Sequence, residues 1–309
     1  MPLDSTLRLL LLSALWGASF LFMRIAAPEL GSFVTAFFRV FLAMLGLLAI
    51  LALWRVKWRF QGKARATLAI GMVNSGVPFA MFCLAAQTLP AGYSAMFNAT
   101  TPLMGVLIGA ALFDEAMTRD RLCGVALGLA GVAVLVRTGP VAVDVTLLLA
   151  AAACLVAAAC YGLSGFLVRR FIAERGGLDS RLLALGSQAG ASALLAPLML
   201  LEAWRQPSLA NWLQGDVWLA MLALGLVCTA LAYLLFFRLL ADLGPIKPLT
   251  VTMLVPLFGV LWGALFLDEK VTLAHLVGGV LIAGALWLIL FKAAPAPRVQ
   301  ARPDAARPE

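Results

Sequence analysis

From Thr67 to Phe113 the chain runs for 47 residues without one Asp, Glu, Lys or Arg. A soluble chain carries charge on about a quarter of its residues. Further charge-free runs cover 122–136, 145–168, 182–201, 217–237 and 249–267, and the run 271–291 holds only His275. Over all 309 residues, 63% are hydrophobic and 12% charged. Such runs belong in hydrocarbon, where backbone polar groups must be paired inside a helix or a closed barrel. Barrel strands alternate polar and apolar at every second residue. These runs are apolar on every side, so the expectation is an all-α membrane protein.

About 20 residues cross a bilayer as a helix. The pattern predicts ten transmembrane helices, at 7–27, 32–53, 67–88, 92–113, 119–137, 146–168, 181–201, 217–239, 245–267 and 272–292. Leu89-Pro90-Ala91-Gly92 divides the longest run in two. With the N-terminus in the cytoplasm, 18 Lys and Arg residues fall inside and five outside. Basic residues gather on the cytoplasmic side, so both termini are expected there. The net charge of +8 is thereby explained by topology, and no nucleic-acid partner is implied. Residues 293–309, rich in Ala, Pro and Arg, read as a disordered cytoplasmic tail. The five cysteines fall inside apolar runs at irregular spacing, which suits small packing residues rather than a disulfide frame or a metal set.

The chain also resembles itself. Pro102-Leu-Met-Gly-Val-Leu-Ile-Gly-Ala continues through Asp114-Glu115 to Thr118. Residues 256–272 read Pro-Leu-Phe-Gly-Val-Leu-Trp-Gly-Ala, then Asp268-Glu269 and Thr272; at an offset of 154, ten of 17 positions are identical. The same offset aligns Gly71 with Gly225, Ser75 with Thr229 and Phe82 with Phe236. Near the start, Trp16-Gly17-x-Ser19 and Arg24 fall on Tyr161-Gly162-x-Ser164 and Arg169 at an offset of 145. The expected domains are two five-helix repeats, 7–137 and 146–292. Five is odd, so the second enters the membrane inverted. Inverted repeats with a mid-membrane site between them are a common architecture of secondary transporters.

These tandem segments, with Leu15-Trp16-Gly17-Ala18-Ser19-Phe20 near the start, resemble the EamA domain family of the drug/metabolite transporter superfamily. The resemblance covers residues 7–292. It implies ten helices and a carrier of the bacterial inner membrane, usually an exporter of amino acids or other small metabolites. The family often has an Arg in helix 2, matched here by Arg39. The second half offers only Gln188 at comparable depth.

The candidate solute-binding residues are polar or aromatic side chains set deep in the spans. They are Trp16, Ser19, Arg39, Asn74, Ser75, Asn98, Thr101, Tyr161, Ser164, Thr229, Tyr233 and Thr252. Polar side chains in lipid are costly unless paired or facing water; the plainer reading is an interhelical hydrogen bond for Asn74, Ser75, Thr229 and Tyr233, an interfacial aromatic belt for Trp16, Ser19, Tyr161 and Ser164, and a packed kink satisfied by Thr hydroxyls for Asn98, Thr101 and Thr252. Arg39, about seven residues and roughly 10 Å into its helix, either holds a solute carboxylate or snorkels to the surface. Pro78, Pro102 and Pro256 are hinge candidates, because proline frees a carbonyl and bends the axis. Glu115 and Glu269 are either gates or partners of helix dipoles, beside the capping residues Thr118 and Thr272.

The favoured function is export of small organic metabolites, amino acids foremost, by alternating access. A purine, drug or sugar carrier of the same fold, a channel, or a membrane scaffold stand as alternatives. An intramembrane enzyme would need a catalytic set at depth, and no acid lies mid-span. No catalytic residue, metal or cofactor is expected. The partners are a small solute and the bilayer, with room for a homodimer.

Overall fold

The computed structural model describes residues 3–138, 143–205, 214–243 and 250–292, and every regular element among them is helical. In chain order we label α1 Leu3–Leu30, α2 Ser32–Leu53, α3 Ala64–Ala86, α4 Ala91–Leu112, α5 Arg119–Thr138, α6 Val145–Phe171, α7 Ser180–Arg205, α8 Gly215–Leu239, α9 Val251–Phe266 and α10 Leu273–Leu290. Eight of these are long and apolar enough to cross a membrane, and α9 is a shorter apolar helix. α5 carries Arg119, Asp120 and Arg121 at its start and Arg137 near its end. Helix α1 starts four residues before its expected span. The expected tail 293–309 and the first residues of the expected ninth span lie outside the described residues. Large apolar side chains such as Leu148, Leu200, Leu257 and Leu276 cover the outside of the bundle, and Trp54, Trp58 and Trp204 stand exposed near helix ends. A lipid-facing surface has this character.

Local chemistry sets the helix ends. A single residue, Gly31 at φ 96°, separates α1 from α2, a conformation open to glycine without a Cβ penalty. Pro90, extended at ψ 151°, caps α4. Asp114 and Asp268 adopt left-handed φ of 52° and 53°. The next amides, Glu115 N–H and Glu269 N–H, donate back to Gly109 O at 3.0 Å and Gly263 O at 3.1 Å. Each bond reaches six residues back and closes the helix C-terminus around a left-handed residue, a conformation Asp tolerates. The Asp-Glu pairs therefore end α4 and α9. Thr118 accepts from Arg121 N–H at 3.3 Å, and Thr272 forms a capping box with His275.

Two helices carry a wider turn at matching places: Met72–Gly76 in α3 and Ala223–Leu231 in α8 are π-helical. Adding 154 to the first range gives 226–230, inside the second. Such bulges insert a residue into the ladder and recur at functional sites.

Close contacts between the two halves come in exchanged pairs. A Cβ on Gly17 would sit 2.9 Å from Gly259 N, and one on Gly162 would sit 2.7 Å from Gly105 N. At the offsets 145 and 154, Gly17 and Gly259 become Gly162 and Gly105. Likewise a Cβ on Gly124 would sit 3.1 Å from Ala285 O, and one on Gly278, its counterpart, would meet Leu135 and Gly131 O. Gly71 lies against Ser187 while Gly225 lies against Leu42. Contacts that recur with partners exchanged are the mark of a twofold relation. They place α1 on α9 and α6 on α4, α3 on α7 and α8 on α2, with α5 and α10 paired.

Candidate functional site

The two halves enclose a central cavity of about 290 Å³. Ten of the twelve expected binding residues line it: Trp16, Ser19, Arg39, Asn74, Asn98, Thr101, Tyr161, Thr229, Tyr233 and Thr252. Ser75 and Ser164 stand behind the wall. Ser164 Oγ is 2.8 Å from both Asn74 Oδ1 and the Tyr161 carbonyl, and Gln188 Nε2 donates to Ser75 Oγ at 3.1 Å. Both serines hold side chains that face the cavity or back it. Asn74 Nδ2 is 3.5 Å from the Tyr233 hydroxyl, which joins the same network.

The lining is largely twofold. At the two offsets Trp16 pairs with Tyr161, Asn74 with Cys228, Phe79 with Tyr233, Phe82 with Phe236, Asn98 with Thr252 and Thr101 with Val255, and all twelve face the cavity. Rings cross between halves: Trp16 and Phe236 centroids lie 5.4 Å apart, and Tyr161 stacks near Phe82 at 6.3 Å.

Arg39 breaks the symmetry. It is 4% exposed. Its Nε donates to Thr229 Oγ1 at 3.2 Å, its Nη1 approaches Met23 Sδ at 3.2 Å, and its Cζ lies 3.6 Å from the centre of the Phe79 ring. Thr229 donates its own hydrogen to Leu224 O, five residues back across the π-turn. That bond turns the hydroxyl lone pairs toward the guanidinium. In the other half Gln188 meets Ser75, the counterpart of Thr229, in the same manner but without charge. No ion pair among the described residues includes Arg39.

The two ends of the cavity differ. At one end, side chains seal helix ends from different halves. Glu202 accepts from the amides of Ser32 at 3.1 Å, Phe33 at 2.7 Å and Val34 at 2.9 Å. Glu269 accepts from Ala91 N–H at 2.8 Å and Gly92 N–H at 3.3 Å. Each carboxylate sits on the positive end of a helix dipole. Arg24 donates to Ala86 O at 2.6 Å, and Gln87 donates to Ser32 Oγ at 2.8 Å. Glu202 is the only acid in α7 and was legible on that ground, yet an acid near a helix end reads as solvated. At the opposite end Glu115 pairs with Arg169 at 3.2 Å and Arg121 at 3.5 Å. These residues edge a second cavity of about 410 Å³, which shares Thr101 and Thr252 with the central one.

Among the hinge candidates, Pro102 starts the second half of α4 just after a break between Asn98 and Thr101, and it lines the second cavity. Pro78 follows the π-turn of α3 and is buried. Pro256 lies inside α9 and faces a lateral apolar crevice between α4, α9 and α10 instead of the central cavity. His275 packs edge-on against Tyr93 at 4.5 Å and also borders that crevice.

A model of the EamA-like transporter family matches the chain twice, over residues 5–137 and 148–291. The uncharacterized transporter YoaV of Bacillus subtilis (strain 168) is 23% identical over 278 residues, spanning 90% of this chain and 93% of that protein. A probable amino-acid metabolite efflux pump of Salmonella typhimurium is 25% identical over 289 residues, 91% of this chain and 93% of that protein. Protein PecM of Dickeya dadantii is 27% identical over 222 residues, 71% of each chain. A solved structure described only as "Crystal structure of protein" aligns with a TM-score of 0.65 at 18% identity, covering 97% of this chain and 99% of that one, and shares the fold.

Proposed function

The chain belongs to the EamA-like transporter family, and from that membership we propose that it carries a small organic metabolite through the central cavity by alternating access. The observation that carries this reading is the cavity lined by repeat-related pairs, with Glu202 and Glu269 closing helix ends on one side and Thr101 and Thr252 shared on the other with the space beside Glu115. One packing of two similar halves has an alternative of similar energy in which the ends trade roles.

In this reading the chain crosses the membrane ten times, as repeats 7–137 and 146–292 of opposite orientation. α5 supplies a crossing despite its charged ends, and the shorter α9 supplies another. Both termini are cytoplasmic, so the structure is inward-facing, with Arg39 at the deep, outer end of the cavity. Residence in a bacterial inner membrane and net export accord with the family. The cavity has aromatic walls, hydroxyl and amide groups, and one guanidinium. It suits solutes with a carboxylate head, amino acids among them. Among the described residues no Asp or Glu lines it, whereas proton-driven carriers keep a titratable carboxylate in the pathway. Transport is therefore driven by the solute gradient or by exchange.

Counterflow in proteoliposomes tests the carrier reading. Preloaded solute should drive transient uphill uptake of labelled solute, which a channel does not show. Reporters fused after residues 137 and 292 test the inversion; both on one side of the membrane would leave an even number of crossings in the second half and remove the mechanism.

A further inference from the structure

We propose that the lobe around Arg39 is an anion subsite and that the solute is an organic monoanion, a single carboxylate on an apolar or aromatic body, preferred over zwitterions and cations. This rests on the reading of the central cavity as the solute site.

Three observations lead there. The first is the uncompensated charge. Arg39 is almost wholly buried, and its close neighbours, Thr229, Met23 and Phe79, are all neutral. Its Nη2 has no hydrogen-bond partner among the described residues. A buried charge without a counter-charge is expensive, and a guanidinium presents paired N–H groups that match a carboxylate. The second is the asymmetry. The counterpart positions of Phe20, Met23 and Arg39 at the offset of 145 are Gly165, Val168 and Ala184, with Gln188 one helical turn further on. Six of the lining residues have no counterpart in the lining, and Arg39 with its neighbours Met23 and Thr229 make up half of them. Symmetric walls serve the cycle, and the departure from symmetry serves the ligand. The third is what the lining lacks. Among the described residues it contains Asn, Thr, Ser and Tyr groups but no carboxylate. A zwitterion satisfies Arg39 and then leaves its ammonium with neutral acceptors in an aromatic-walled space. A monoanion brings the cavity to neutrality and buries its body against the rings of Trp16, Phe82, Tyr161 and Phe236.

The test uses four matched probes on the purified full-length protein: 3-phenylpropionate, phenylalanine, phenethylamine and 3-phenylpropionamide. Binding is measured by thermal shift and titration calorimetry. We expect 3-phenylpropionate to bind tightest, by about tenfold or more over the other three. Arg39→Gln should erase that preference, and Arg39→Lys should keep part of it. This ranking on the unaltered protein needs no substitution, so it decides the matter even where Arg39→Gln folds poorly. Equal affinity of phenylalanine or the amide for the unaltered protein overturns the proposal. So does an unchanged ranking in a folded Arg39→Gln variant. A second variant, Asn98→Trp, fills the cavity away from Arg39. If the probes bind without charge preference and Asn98→Trp blocks them, the cavity reading stands and the anion proposal falls. If none binds and counterflow survives Asn98→Trp, the cavity reading itself falls.

Discussion

Glu269→Gln keeps the shape of a side chain that ties the α9–α10 connection to the first turn of α4, and removes its charge. The carboxylate accepts two amide hydrogens, from Ala91 at 2.8 Å and Gly92 at 3.3 Å. Hydrogen bonds to a charged partner contribute about 1.5–3 kcal/mol each when buried, against about 1 kcal/mol for neutral ones. The dipole of α4 adds roughly 0.3–1 kcal/mol. Glutamine keeps one neutral acceptor, and the site is only half-buried, so the loss is about 1–2 kcal/mol. If the contact exists only while this end is sealed, that loss moves the sealed-to-open ratio by about 5–30-fold. The readout is labelling of a cysteine at Asn98, on a cysteine-free background, by a membrane-impermeant maleimide applied to intact cells. The labelling rate should rise by the same factor. Glu115→Gln is the contrast, because its partners are partly exposed ion pairs, worth under about 1 kcal/mol, and little change is expected. An unchanged rate in Glu269→Gln would refute the idea that this carboxylate closes the outer end.

Gly162→Ala places a Cβ 2.7 Å from a backbone nitrogen of α4 and should lower stability by about 1–3 kcal/mol in thermal unfolding. Gly165→Ala, with no atom within 4 Å, should be neutral or slightly stabilising by the helix propensity of alanine. Asp268 holds a left-handed φ of 53°, so Asp268→Asn should be tolerated, whereas Asp268→Val should cost about 1–2 kcal/mol. Efflux of labelled 3-phenylpropionate from loaded proteoliposomes should accelerate when the same anion is outside, because the empty carrier must otherwise reorient with Arg39 unpaired. The same rate should be insensitive to an imposed pH gradient, and strong acceleration by that gradient would show proton coupling.

The all-helical fold followed from the charge-free runs, and the paired lining was written in the two offsets, since Trp16, Asn74, Phe82 and Asn98 each faced the cavity with their counterparts. Rotation about a helix axis was harder to read. Ser75 and Asn74 are neighbours, yet only Asn74 reaches the cavity, and the π-turn at 72–76 adds a residue that shifts the face by about 100°. Nothing in residue type announces such a turn. Long-range partners were also hidden. Glu269 was read either as a gate or as a partner of its own following helix, and it binds the start of α4; Glu202 drew no notice because its partners are amides 168 to 170 residues away. Acids at helix ends look alike in sequence whether they face water or another helix.

The exchanged glycine contacts tie the two halves together over time as well as in space. Under the alternating access proposed above, Gly17 takes up surroundings like those Gly162 has now, and Gly105 those of Gly259. Every such position must then fit two environments in turn, so neither half is free to specialise its contact surfaces. Freedom to diverge is left to residues that never meet a counterpart's neighbours, and the most deeply set of these is Arg39.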